Sequence, residues 1–150
     1  MERREFMATT AAAAASIVTT APAFAEENAK RAGAHARDLH PPKYKGLEEA
    51  AGTCGASGND CLRHCFGMLS MKDTSMADCT KITYDTVAAC GALETLAAAN
   101  SPYTPALAKV VEKICLDCKK ECDKFLQYTE CNDMAAACEA CAEECRKIAA

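Results

Sequence analysis

The stretch CEACAEEC, from Cys138 to Cys145, places three thiols at spacings of three and four residues. The same spacing occurs in CLDCKKEC, from Cys115 to Cys122. Residues three and four apart share one face of an α-helix, so each group is expected to form a stripe along a helix. Such stripes would serve a disulfide framework, a zinc or iron–sulfur site, or a site that holds many sulfurs in a row.

Helical patterns continue through the chain on both sides of these stripes. Asp73 or Thr74 is expected to cap the second of four helices, and Asn100 is expected to follow its last turn. No run alternates as a strand would. The short connections predict an all-α fold, an antiparallel up-down four-helix bundle over residues 43–150. The helices are expected over about residues 44–71, 74–99, 105–128 and 131–148.

Cysteine occupies the inward stripes of this predicted bundle, where leucine or isoleucine is usual. A cysteine side chain is much smaller than leucine, so a core built from it would leave voids that cost roughly several kcal/mol in total. Something is therefore expected to fill this cysteine-lined core. The candidate metal ligands are the twelve cysteines Cys54, Cys61, Cys65, Cys79, Cys90, Cys115, Cys118, Cys122, Cys131, Cys138, Cys141 and Cys145.

Disulfides, iron–sulfur clusters and haem fit the pattern poorly. Cysteines at i and i+4 lie about 6 Å apart at Cα with nearly parallel Cβ vectors, which suits a disulfide badly. Neither stripe has the CxxCxxC run of a cluster or the histidine that follows CxxC in haem attachment. A thiol redox protein would expose a CxxC at a helix N-terminus, whereas Cys115 and Cys118 lie in mid-helix. Bridges between helices stay open, so a disulfide-stabilised exported bundle remains an alternative.

The charge of the metal separates zinc from copper. Three closed Zn²⁺ sites (+6) with twelve thiolates (−12) would leave −6 in an interior without Lys or Arg on its inward stripes. Cu(I) prefers thiolates and accepts two or three sulfur ligands, and one Cu⁺ per thiolate gives a neutral core. The pattern therefore favours several Cu(I) ions per chain. A zinc-binding structural or regulatory bundle is kept as an alternative.

The start of the chain, residues 1–25, is predicted to be a signal peptide. Paired arginines at positions 3 and 4 precede a mildly apolar stretch, and AFA at positions 23–25 forms a small-x-small cleavage site. The paired arginines resemble a twin-arginine (Tat) signal, with an ordinary Sec signal as the alternative. The mature protein is then expected to be exported to the periplasm, with residues 26–42 as an N-terminal segment containing a short helix.

The composition argues against other partners and against catalysis. A net charge of −4 with scattered basic residues gives no nucleic-acid footprint, and no other segment reaches the roughly 18 apolar residues of a membrane span. No Ser/His/Asp set, phosphate loop or carboxylate pair lies on the inward faces, so the chain is not expected to be an enzyme. His35 and His40, in the segment ahead of the bundle, are expected to be solvated surface residues.

An exported bundle with the CxxxC pair at Cys61 and Cys65 and two CxxCxxxC stripes resembles the bacterial copper storage proteins, the Csp family, and specifically its Tat-signalled branch. The resemblance covers the whole predicted mature chain. It implies a homotetramer of four-helix bundles that stores many Cu(I) ions per subunit and supplies copper enzymes. In methane-oxidising bacteria the implied client is the membrane methane monooxygenase.

Softer ligands gather at one end of the predicted bundle. His64, Met68, Met71 and Met76 are assigned to this end, with Met134 facing them from the fourth helix. Thioether and imidazole bind Cu(I) more weakly than thiolate does, so these side chains are predicted to form an uptake site. The alternative is that the methionines fill irregular ends of the core. The opposite end is expected to be closed by Leu47, Leu93 and Val111.

Overall fold

Four helices follow one another in the computed structural model, which describes residues 40–149 and the side chains up to Ile148. The expected signal peptide and N-terminal helix lie outside these described residues. None of the described helices has the length and hydropathy needed to cross a bilayer. The helices are α1 (Lys45–Ser70), α2 (Ala77–Ala98), α3 (Thr104–Cys122), which is followed by a 3-10 turn (Asp123–Phe125), and α4 (Thr129–Ala149).

The helix boundaries differ from the expectation at two turns. Asp73 accepts a hydrogen bond from the backbone N–H of Ser75 at 2.9 Å, so it orders the turn, and the predicted cap at Asp73 or Thr74 is wrong. Helix α2 begins later, after Met76, without a side-chain cap. Helix α3 ends at Cys122, where the chain tightens into the 3-10 turn.

Neighbouring helices run antiparallel. Between α2 and α3, Cys79 lies beside Cys122 and Cys90 lies beside Cys115, with Sγ–Sγ distances of 3.7 and 3.8 Å. The residue number rises along one helix as it falls along the other. The same reversal relates α1 to α2, α1 to α4 and α3 to α4. Each helix packs against two neighbours in a ring, which confirms the all-α antiparallel four-helix bundle.

One end of the bundle is filled by ordinary apolar side chains. Leu47, Leu93 and Val111 are almost completely buried there, at 1%, 0% and 0% exposure. These residues lie beyond the cysteines on their helices, and the arrangement confirms the prediction for this end, which we call the closed end. The other end, where α1 finishes and α2 begins, is called the mouth.

Asn100 holds the segment that precedes α1 against the closed end. Its backbone has φ of 51°, a left-handed conformation that Asn tolerates better than most residues. Its side-chain oxygen accepts a hydrogen bond from the backbone N–H of Lys43 at 2.7 Å. Its side-chain NH₂ donates to the carbonyl of Pro41 at 3.1 Å. The turn between α2 and α3 therefore positions the start of α1.

Gly58 allows α1 to approach both of its neighbours closely. A Cβ at this position would lie 2.5 Å from Val87 Cγ2 and 3.4 Å from Met134 Cε. Valine is branched at Cβ and has a stiff χ1, so it cannot move aside easily. The missing side chain therefore sets the helix spacing in the middle of the bundle.

We expect Gly58→Ala to lower the free energy of unfolding by about 1–3 kcal/mol, because the new methyl overpacks the contact with Val87. The matched control is Gly55→Ala on the same helix, where a Cβ meets nothing within 4 Å. The control should gain up to about 1 kcal/mol from the better helix propensity of alanine. Thermal unfolding of the reduced apo protein, followed by far-UV circular dichroism, measures both. Equal melting temperatures for the two variants would contradict the prediction.

Candidate metal centre

Every cysteine of the chain lies inside the bundle as a free thiol. All twelve are 0% exposed, and none forms a disulfide. Neighbouring sulfurs lie 3.7–3.9 Å apart, well beyond the about 2.05 Å of a disulfide bond. The structure therefore confirms that cysteine lines the core.

Four of the sulfurs, one from each helix, converge towards the closed end. Their Sγ atoms all lie within 4.8 Å of one another. Four sulfurs around one point can surround a tetrahedral ion or share the edges of a metal cluster. This set, called the quartet, consists of Cys54, Cys90, Cys115 and Cys141.

Three more sulfurs converge on the mouth side. Cys61, Cys79 and Cys122 come from α1, α2 and α3, with their Sγ atoms within 4.8 Å of one another. Three sulfurs without a fourth suit Cu(I), which accepts trigonal coordination. This set is called the trio.

The remaining five cysteines extend these two groups. Cys138 lies 3.9 Å from Cys54 of the quartet, and Cys65 lies 3.9 Å from Cys61 of the trio, measured between Sγ atoms. Along α1 the cysteines run from quartet to trio to Cys65, so the groups follow one another along the bundle axis. The five are Cys65, Cys118, Cys131, Cys138 and Cys145.

The buried thiols share their protons unevenly. Hydrogen bonds from Cys115 and Cys138 lower the pKa of Cys54 to about 5. A hydrogen bond from Cys122 lowers the pKa of Cys118 to about 3, and the pKa of Cys122 rises because it is the donor. Each thiolate thus forms at the expense of its neighbours, since adjacent buried negative charges repel. A bound cation would release the remaining protons.

No positively charged side chain lies in this interior within residues 40–148. The buried polar residues of the bundle are all neutral, and the described Lys and Arg ion pairs involve partly or largely exposed side chains. A metal ion is therefore the species that can balance the charge of core thiolates. The buried polar residues are Thr80, Thr83, Thr86 and Thr104.

His64 lies at the mouth with one ring nitrogen unused. Its Nδ1 is 3.9 Å from the carboxylate of Glu130, and its ring centroid is 4.5 Å from that of Tyr128. Its Nε2 is buried and has no hydrogen-bond partner, so its lone pair is available to a metal in the neutral tautomer. Of the other two histidines, His40 is exposed, and His35 lies outside the described residues.

The methionines are less uniform than expected. Met68 is partly buried against the core, Met76 is fully buried, and Met71 is 69% exposed. Met134 is fully buried, and its Sδ lies 3.6 Å from the position of a Cβ on Gly58. Because Gly58 lies between the quartet and trio cysteines of α1, Met134 lies within the sulfur row. The prediction that Met134 faces the mouth is therefore wrong, because the space at Gly58 admits its side chain into the core.

Thr83 is a core residue that sequence reasoning did not identify. It is fully buried, and its hydroxyl lies 3.6 Å from the sulfur of Cys118 and 3.9 Å from those of Cys61 and Cys79. Its position four residues after Cys79 was the available signal, because such residues share a helix face. Threonine thus interrupts the cysteine row on α2.

Comparisons with known proteins agree with this geometry. The family model described as "Copper storage protein" matches residues 40–150. Among curated proteins, no sequence matches the chain.

Two solved structures share the fold. Apo copper storage protein 3 from Bacillus subtilis is 25% identical, with a TM-score of 0.63, over 71% of this chain and 98% of that one. A Cu(I)-bound copper storage protein, BsCsp3, is 26% identical, with a TM-score of 0.65, over 71% and 97%. Because the family model covers the entire bundle, this chain belongs to the copper storage protein family.

Proposed function

We propose that this protein stores Cu(I) in its core, with the twelve cysteine thiolates as ligands. The observation that carries the proposal is the convergence of the quartet and the trio, each within 4.8 Å, in an interior without cationic side chains. Family membership and the Cu(I)-bound solved relative support it. The family also favours storage rather than catalysis.

Charge balance favours many ions per chain. A buried thiolate is costly unless a positive charge accompanies it, and one Cu⁺ per thiolate removes the net charge. Sulfurs 3.7–3.9 Å apart can share ions along the row, since each Cu(I) needs only two or three of them. We therefore propose a capacity close to the number of cysteines.

The quartet also supports a second candidate, a single structural Zn²⁺. Four thiolates from four helices match the usual ligand number and geometry of a closed zinc site. Such a site would keep a net charge of −2, and it would leave the other eight cysteines unexplained. Copper accounts for the whole row, so we place zinc second.

Anaerobic titration of the reduced apo protein with Cu(I) should saturate at about one ion per cysteine, on the order of ten or more per chain. The melting temperature should rise with loading, because only the folded bundle presents these sites. The far-UV spectrum should change little, because apolar packing at Leu47, Leu93 and Val111 is expected to hold the helices together without metal. Metal analysis and circular dichroism measure these quantities.

Two controls accompany the titration. Cys61→Ala and Cys118→Ala should each lower the capacity, whereas Thr95→Ala on the exposed face of α2 should not. Co²⁺, used as a spectroscopic substitute for Zn²⁺, reports a tetrahedral thiolate site. A plateau at three ions with equally tight zinc binding would overturn the copper proposal. Loss of free thiols without metal would favour the disulfide alternative.

We further propose that copper passes through the mouth. His64 offers a buried nitrogen without a partner, and Met68, four residues later on α1, packs against the core. Met71 is exposed while Met76 is fully buried, so thioethers are available both outside and inside the mouth. Ligands weaker than thiolate suit capture and transfer better than retention.

Replacing Met68, Met71 and Met76 together with leucine should slow copper loading and removal while leaving the total capacity almost unchanged. Met-to-Leu changes conserve volume and usually cost less than about 1.5 kcal/mol, so the fold should persist. Met134→Leu is the matched control, because it removes a thioether that lies away from the mouth. Stopped-flow loading from a Cu(I) chelator measures the rate. A triple variant that loads as fast as the wild type would make these methionines core filler.

The proposal also covers the export of the protein, its assembly and the enzymes that receive its copper. The paired arginines and the AFA sequence support a Tat signal that ends at residue 25 and delivers the protein to the periplasm. The homotetramer is proposed from the family resemblance, with Val110 and Leu126, which are 54% and 50% exposed, as candidate interface residues. The proposed clients are copper enzymes, such as methane monooxygenase in a methane-oxidising host.

The periplasmic protein should begin at Glu26, since a signal peptidase cleaves after small-x-small sequences. Intact mass of the protein from the periplasmic fraction checks this. Replacing both arginines with lysine should retain the uncleaved precursor in the cytoplasm, whereas Lys43→Arg, ahead of the bundle, should not. Normal export of the twin-lysine variant would favour the Sec pathway instead.

A further inference from the structure

Every described polar neighbour of the Thr83 hydroxyl is a cysteine sulfur. Its contacts are Cys118 at 3.6 Å and Cys61 and Cys79 at 3.9 Å, on three different helices. Two of these cysteines belong to the trio. The threonine oxygen therefore lies beside two of the three sulfurs of the trio.

The other threonines of α2 behave differently. Thr80, Thr86 and Thr95 each donate to the backbone carbonyl four residues earlier, at 2.8, 2.7 and 3.0 Å. This back-bonding is the usual arrangement for a threonine within a helix. Thr83 makes no such bond among the described residues and has only sulfur partners. Its hydroxyl therefore contacts only side chains in the core.

The strength of this contact depends on the charge of the sulfur. A neutral thiol is a weak acceptor, and a buried hydroxyl with only weak partners carries an energetic cost. A thiolate that binds a metal is anionic, and hydrogen bonds to charged groups are about twice as strong as neutral ones. The hydroxyl therefore gains a better partner when a cation replaces the thiol proton.

The quartet has no corresponding donor in the described residues. The hydrogen bonds of its sulfurs lead to other cysteines, from Cys54 to Cys138 and from Cys90 to Cys115. The two groups of sulfurs consequently differ in their surroundings as well as in their number. The trio has a hydroxyl within 3.9 Å of two of its sulfurs, and the quartet has no such hydroxyl among the described residues.

We propose that Thr83 is a positioning residue that strengthens Cu(I) binding at the trio and the adjacent Cys118 by donating its single hydroxyl hydrogen to one of these metal-bound sulfurs. This inference rests on the proposed storage of Cu(I). The trio, on the mouth side, then retains Cu(I) and is not the more weakly binding of the two groups of sulfurs.

Competition with a Cu(I) chelator tests this role. The purified protein is loaded anaerobically, and the chelator concentration that removes half of each population of ions is measured. Cys122→Ser identifies the ions of the trio, and Cys90→Ser identifies those of the quartet. Thr83→Val removes the hydroxyl with little change in shape, Thr83→Ser keeps it, and Thr80→Val removes a hydroxyl that is bonded to a carbonyl.

In Thr83→Val, the ions of the trio should be lost at about tenfold lower chelator concentration, equivalent to about 1.4 kcal/mol. The total capacity and the ions of the quartet should stay unchanged, and Thr83→Ser and Thr80→Val should follow the wild type. A Thr83→Val curve that matches the wild type would overturn the inference. So would an equal shift in Thr80→Val or a shift confined to the quartet. A wild-type protein that retains no Cu(I) would instead refute the storage function itself.

Discussion

Charge neutrality in a closed helical core is the constraint on which this structure depends. The inward faces carry twelve thiols, and the described interior contains no Lys or Arg to balance the negative charge of a thiolate. In the apo state the thiols therefore share protons, and ionisation at Cys118 is accompanied by a raised pKa at its neighbour Cys122. A monovalent soft cation can replace these protons one for one without leaving net charge in the core.

The helices hold the sulfurs in their positions. Backbone hydrogen bonds and apolar packing at Leu47, Leu93 and Val111 hold the bundle together without metal. The sulfurs then remain close enough to share an ion. The packing of the helices thus sets the positions of the sulfurs, whereas small metal-binding chains fold only around their ions.

The sequence was enough to predict the four-helix bundle, because cysteine spacings of three and four residues indicate helices once strands are excluded. It also located all twelve core cysteines and the closed end. It could not place Met134, because nothing in a periodic pattern shows that Gly58 leaves room for a thioether. It missed Thr83, because a threonine on an inward face looks like any helical threonine until its neighbours are known. The early start assigned to α2 failed because Asp73 bonds to Ser75 within the turn.

The attachment of residues 41–43 to Asn100 has a practical consequence for handling the molecule. Helix α1 starts at the closed end and runs towards His64 and Met68, so the polypeptide joins the bundle at the pole opposite the mouth. An affinity tag, a dye or a tether to a solid support joined at this point is attached far from His64 and Met68. Immobilised in this way, the protein would present the mouth to the surrounding solution, which is the orientation that a copper-capturing coating based on the proposed function requires.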